Sequence, residues 1–109
     1  MVSYFVRYRG KSADPVSFRT YYAETHAAIL ERFPKIHSLI LHQPVAWDDP
    51  FPVRRDETTL LAQMIFESSV DLNMALRSQA RKEARDDFSY FPAFEGEITH
   101  EALVGQVIF

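Results

Sequence analysis

Cysteine is absent from the 109 residues, and glycine occurs only three times. Without a thiol the chain can form no disulfide, no thiolate nucleophile and no thiolate-ligated metal site. That excludes a disulfide-stapled secreted scaffold and makes the cytoplasm the expected compartment. So little glycine leaves no phosphate-cradling loop, and no G-x-S-x-G nucleophile elbow occurs. No run of ~18 apolar residues exists to span a bilayer, and the N-terminus lacks the basic and apolar regions of a secretory signal. Positive charge is not in excess either. Twelve Lys plus Arg stand against fifteen Asp plus Glu, a net charge of −3, whereas a nucleic-acid binder carries a basic footprint. Neither a membrane nor a nucleic acid is expected as partner.

What is present is an ordinary globular balance of 47% apolar and 25% charged residues, over a length that fits a single domain, residues 1–109. Aromatic residues are plentiful: nine Phe, five Tyr and one Trp make 14% of the chain. Large rings fill cores, and they also line pockets for flat organic ligands.

Val2 to Arg9 alternates β-branched and aromatic residues and stops at Gly10, which predicts a strand with Tyr4, Val6 and Tyr8 on one face. Asp14-Pro15 then reads as an N-cap followed by a proline at the first helical position. The helix predicted from there to Arg32 places Phe18, Tyr22, Ile29 and Phe33 on one face, with Thr25 between them. His26 falls about 80° from Phe18, at the edge of that stripe. Pro34 ends the helix, and Ile36 to Val45 reads as a second strand. Pro44 to Thr59, with three prolines and six charged residues, is too polar and broken for a core element and is expected as a long, functional or mobile excursion. Leu60 to Glu67 reads as a third strand. Ser68 or Ser69 caps a second helical region from Val70, and a further helical stretch covers Ala80 to Phe91. Arg81, Lys82, Arg85 and Asp86 are expected on its charged outer face. Pro92 and Gly96 punctuate, and Glu97 to Phe109 ends the chain as a fourth strand.

The order βαββαβ is that of a ferredoxin-like α+β sandwich, a four-stranded antiparallel sheet with its helices on one face. The second face of such a sheet is bare, and Phe5 with its apolar neighbours is expected to face water over several hundred Å². Pairing two copies face to face removes that exposure, so a homodimer by sheet-to-sheet packing is predicted.

The stretch Phe18-Arg19-Thr20-Tyr21-Tyr22-Ala23-Glu24-Thr25-His26, with Pro34 behind it, resembles the F-x-x-Y-Y-x-x-x-H helix of the EthD-like family of dimeric α/β-barrel proteins. Phe66-Glu67-Ser68 and Phe88 to Phe91 match two further segments of that family. Two departures stand out: Pro34-Lys35 replaces the usual Pro-Gly, so the turn into the second strand is expected to differ. Leu39 occupies the place of a tyrosine found in related methylmuconolactone isomerases, which also use the cysteine that is missing here. The resemblance implies breakdown of ethers, aromatic compounds or lactones without a cofactor, in a superfamily of cofactor-free oxygenases, isomerases and ligand binders.

His26 is the leading candidate for catalysis, since an imidazole of ordinary pKa ~6.5 suits proton transfer near neutral pH. The competing reading is a core-edge histidine bonded to a backbone carbonyl. Tyr22, one turn earlier on nearly the same face, is placed to orient the imidazole or bind a substrate oxygen, while Tyr21 is turned further round. Phe18, Phe91, Phe94 and Trp47 are candidates to line or close a pocket for a small hydrophobic or aromatic ligand. Arg9 is a candidate for a substrate carboxylate, unless it lines the dimer interface with Arg7. His37 is a further substrate-binding candidate; it and His42 lie on opposite faces of the second strand. The scattered histidines have no metal-ligand spacing, so no metal is expected. Asp86 and Asp87 read as surface or capping groups. The function expected is a small cofactor-independent enzyme, isomerase-like or monooxygenase-like, in which His26 moves a proton. The alternative is a non-catalytic binding or accessory protein of a degradation pathway.

Overall fold

The structure, a computed structural model, describes residues 1–109. Four strands form one antiparallel sheet: β1 Val2–Ser12, β2 Ser38–His42, β3 Thr58–Phe66 and β4 Phe94–Val104. Their spatial order is β2-β3-β1-β4, which is the ferredoxin-like arrangement of a βαββαβ chain. Alternation decides the faces. Tyr4, Val6 and Tyr8 point to the same side as Leu60, Ala62 and Met64, and all six are buried beneath the helices.

Helix α1 occupies residues 15–30 in three pieces: Pro15–Tyr21, a π-helical turn Tyr22–His26, and Ala27–Leu30. Asp14 caps it, accepting from the Ser17 N–H at 3.0 Å, and Pro15 follows as the sequence predicts. The π turn changes the phase. The Ala27 N–H reaches back five residues to the Tyr22 carbonyl, so the turn holds an additional residue. The buried positions become Phe18, Tyr22, His26, Leu30 and Phe33. Thr25 is exposed and Ile29 only half-buried, which corrects the stripe expected from a uniform 3.6-residue period.

Helix α2, Ser69–Leu76, is capped by the Ser68 hydroxyl, which accepts from the Asp71 N–H at 3.2 Å. Helix α3, Gln79–Asp87, is capped by Ser78 and runs into a 3-10 turn, Phe88–Tyr90. The segment between β2 and β3, residues 43–57, forms no helix or strand and is exposed almost throughout, as are residues 105–109. No helix is long and apolar enough to cross a membrane.

Two glycines expected to interrupt strands instead sit inside them. Gly10 and Gly96 are register partners in the β1–β4 ladder, with φ of 141° and 151°. A Cβ at Gly10 would lie 2.1 Å from the Glu95 carbonyl oxygen, and one at Gly96 would lie 1.9 Å from that of Arg9. The two strands can continue past this point only because both positions lack a side chain. Thr59 adds a bulge beside it and donates its hydroxyl to the Gly10 carbonyl at 2.6 Å. Lys35, where the sequence suggested a different turn, has φ of 63°. It adopts the left-handed conformation that glycine ordinarily supplies.

The face away from the helices is mixed rather than apolar. Phe5, Ile40, Leu61, Ile65 and Leu103 share it with Arg7, Gln63, Thr99 and Glu101. Its polar groups pair among themselves: Arg7 donates to Thr58 at 2.8 Å, and the Gln63 amide links Ser3 at 3.1 Å to His42 at 2.9 Å.

The glycine pair yields a stability prediction. Gly10→Ala forces a Cβ into the β4 backbone at a disfavoured φ and is expected to cost about 2–4 kcal/mol. Urea unfolding measures this, and a loss below ~1 kcal/mol would show that the ladder does not close at this point.

Candidate functional site

Between the helix layer and the sheet lies a cavity of about 340 Å³, within the range that holds a small organic ligand. Tyr4, Val6 and Tyr8 of β1 and Met64 of β3 form its floor, with Ile98 and His100 of β4. Tyr22, His26, Leu30 and Phe33 wall it from α1 and the turn after it; Arg81, Ala84, Arg85 and Phe88 wall it from α3 and its 3-10 extension. Those last four positions lie one or two turns apart, so α3 turns one continuous stripe toward the cavity. Of the charged face read from the sequence, Arg81 is half-buried and Arg85 exposed, and both border the cavity.

His26 and Tyr22 both border the cavity, with ring centroids 4.8 Å apart in an edge-to-face arrangement. The His26 Nδ1 lies 2.9 Å from a carboxylate oxygen of Asp87, and both side chains are largely buried, at 7% and 12% exposure. The other Asp87 oxygen accepts from the Tyr21 hydroxyl at 2.8 Å. An ionised carboxylate only accepts, so Nδ1 carries the ring proton and Nε2 is left with a free lone pair. Burial pulls the His26 pKa below its ordinary 6.5, and the Asp87 carboxylate opposes that shift without overcoming it. The imidazole is therefore neutral at pH 7.

Asp87 was read from sequence as a surface or capping group, and Tyr21 as turned away. The Asp87 reading is corrected; Tyr21 does stay off the cavity lining, but its hydroxyl reaches the site through Asp87. A sequence signal for Asp87 did exist: a carboxylate in the last turn of a helix opposes the macrodipole, so it needs compensation from elsewhere in the fold. Here two donors on α1 supply it.

Phe91 packs edge-on behind His26, with centroids 4.9 Å apart, and also touches Tyr21 and Tyr22. Phe18 and Phe94 lie deeper, against each other and against Tyr8. They are packing for the site and do not border it. Three other candidates stand apart from this cavity. Arg9 points to the opposite face of the sheet and pairs with Asp56 at 2.6 Å. His37 is exposed ahead of β2. Trp47 lies on the 43–57 segment, 49% exposed, with the Arg55 guanidinium stacked 4.2 Å above its ring.

Residues the sequence reading did not select complete the cavity. Burial pushes the Tyr8 and Tyr22 phenols far above their ordinary range. His100, 5.9 Å from Tyr4 between ring centroids, has its pKa lowered by burial and by Arg81 and Arg85. No three side chains of metal-ligating type come together.

No family model and no curated protein matches the sequence. Solved structures do match. An ethyl tert-butyl ether D (EthD) family protein of Bacillus halodurans superposes with a TM-score of 0.75 at 19% identity, over 97% of this chain and 99% of that one. The chain shares the ferredoxin-like fold of that protein. A monooxygenase of Streptomyces coelicolor, solved with nanaomycin D, gives 0.68 at 13% identity, over 99% of this chain and 89% of that one. SnoaB of Streptomyces nogalater, a cofactor-independent oxygenase, gives 0.64 at 14% identity, over 97% and 93%.

The His26–Asp87 pair has two measurable consequences. Between pH 6.5 and its lowered folded value, His26 binds a proton in the unfolded chain but not in the folded one. Its contribution to stability therefore diminishes as pH falls through that window. In an NMR titration the His26 ring is expected to show a midpoint below 6.5, moving lower still in Asp87→Ala. That variant is also expected to lose about 1–3 kcal/mol through the orphaned Nδ1–H. A wild-type midpoint above 6.5 would contradict the neutral imidazole.

Proposed function

We propose that this chain is a small cofactor-independent enzyme of aromatic or lactone breakdown, acting in the cytoplasm, with His26 as general base. The observation that carries the proposal is a neutral, cavity-facing imidazole whose far nitrogen is fixed by a buried carboxylate. That is the orientation logic of hydrolytic triads applied to proton abstraction. The fold neighbours named as oxygenases, one of them solved with nanaomycin D, are consistent with this chemistry.

In the reaction, His26 Nε2 takes a proton from an acidic O–H, or from a C–H beside a carbonyl. The electron pair stays on the substrate as a phenolate or enolate. The imidazolium keeps its Nδ1–H on Asp87, whose charge stabilises it. Returning the proton to a second carbon completes an isomerisation with no net redox change. If a phenolate formed this way meets dioxygen, oxygen adds at a ring C–H carbon and the O–O bond breaks. One oxygen atom becomes a ring carbonyl, and the other leaves as water with the ring hydrogen and the proton held on His26, which is the monooxygenase-type outcome. Tyr22 packs against the imidazole and sets its plane; Tyr21 acts at one remove, as a positioning residue holding Asp87. The walls are otherwise apolar and aromatic, which suits a small flat substrate.

His26→Gln is expected to lower turnover by about 10²–10⁴-fold with the fold retained, and Tyr21→Phe by a smaller factor. In wild type, kcat/KM is expected to fall on acidification with an apparent pKa below 6.5. A His26→Gln protein that turned over substrate at the wild-type rate would remove the general-base role. Tight binding without turnover in wild type would instead mark a binding or accessory protein.

The same proposal includes a homodimer formed through the open face of the sheet. Ile40 and Leu103 remain 42% and 49% exposed on that face, and Phe5, Leu61 and Ile65 lie between them. A second copy covering these residues removes their contact with water. Sedimentation at micromolar concentration is expected to give twice the 12.7 kDa chain mass, and Ile40→Lys to shift it toward one copy. A wild-type particle of single-chain mass would exclude the dimer.

A further inference from the structure

The cavity is electrically lopsided in a way that proton transfer at His26 does not explain. Arg81 and Arg85 project into it from consecutive turns of α3. Like charges four residues apart weaken a helix, and neither guanidinium has a carboxylate within salt-bridge distance. The ion pairs of the protein are Arg9–Asp56 and Arg32–Glu83, and Asp87 is engaged by the neutral His26 ring. Two unpaired cations thus border a mainly apolar cavity in a chain whose net charge is −3. Tyr4 and His100 lie beside them, and the lowered His100 pKa keeps that imidazole neutral at pH 7 rather than adding a third cation. Arg85 is exposed and Arg81 half-buried, which sets this pair at the rim of the cavity. His26 is buried together with Asp87, the one carboxylate that reaches its ring.

We infer that the substrate is an aromatic acid that enters ring first, its carboxylate held at the rim by Arg81 and Arg85 and its reacting O–H or C–H delivered to His26. The inference rests on the reading of the cavity as a substrate site and adds the class of molecule and its orientation. Guanidinium groups recognise carboxylates through paired, charge-assisted hydrogen bonds. Apolar walls accept the rings, and Ala84, between the two arginines on the same stripe, leaves room for them. A neutral analogue gains the ring contacts but leaves both cations without a partner.

The test uses 1-hydroxy-2-naphthoate and its methyl ester as fluorescent probes of the intact protein. Wild type is expected to bind the acid at least about tenfold more tightly than the ester, with the preference shrinking as salt is raised. The Arg81→Gln/Arg85→Gln double variant is expected to abolish the preference while leaving the ester affinity in place. Its melting temperature should be no lower than wild type, because a like-charge pair has been removed. Arg85→Gln alone, at an exposed position, is expected to lose part of the preference and guards against misfolding of the double variant. His26→Gln is expected to keep the preference, which separates recognition from proton transfer. Equal affinity for acid and ester in wild type, or a preference that survives the double variant, overturns the inference and leaves the His26 reading standing. Failure of both probes to bind overturns it together with the aromatic-substrate reading.

Discussion

The site depends on one carboxylate being shared. Asp87 receives the Tyr21 hydroxyl on one oxygen and the His26 ring on the other, and those two donors are five residues apart in the chain. In a regular α-helix a separation of five is about 500°, which puts the side chains roughly 140° apart on the cylinder. One carboxylate could not then hold both. The π turn over Tyr22–His26 closes that angle, because its hydrogen bond spans five residues instead of four. The helical irregularity, the unfavourable acid at the end of α3 and the orientation of the imidazole are therefore a single structural event. It also ties the last turn of α3 to the middle of α1, and so fixes the two walls of the cavity relative to each other.

That linkage explains what could be read in the sequence and what could not. Strand faces followed from alternation, and the capping residues Asp14 and Ser68 marked the starts of α1 and α2. Period-3.6 reasoning held as far as Tyr22 and again at Phe33, and drifted between them. It placed Thr25 and Ile29 inward, where His26 and Leu30 are found. The error came from assuming a uniform helix, and no residue in Tyr22 to His26 is an obvious breaker. Asp87 was missed for a different reason. Its partners lie more than sixty positions away, and only its conflict with the helix dipole could have marked it. The glycines misled in the other direction. Isolated, each reads as a stop; opposite one another, Gly10 and Gly96 let two strands pass in close contact.

The abundance of aromatic residues divides between two tasks. Tyr8 stands at the centre of one cluster, edge-on to Phe18, Tyr22 and Phe94 and roughly parallel to Phe88 and Phe91. Each well-placed pair contributes about 0.5–1.5 kcal/mol beyond burial of area. This cluster stiffens the closed side of the site, where movement of Phe91 would displace His26. Tyr4, Tyr8, Tyr22, Phe33 and Phe88 also meet the cavity itself. Rigid rings on one side and open volume on the other let a small protein hold an empty space without collapse.

The electrostatics of the site follow from the same geometry. A buried imidazole resists protonation, and by itself that would make His26 a weak base. Asp87 reduces the penalty without cancelling it, so the ring stays neutral before reaction and is stabilised as a cation afterwards. In the proposed reaction, proton abstraction creates a cation on His26 beside an anion on the substrate. Within an apolar cavity these two charges attract each other more strongly than in water. Arg81 and Arg85 add two further positive charges to the lining of the same cavity. Proton transfer of this kind needs charges held in place before the proton moves, and the hydrogen bonds around Asp87 hold them.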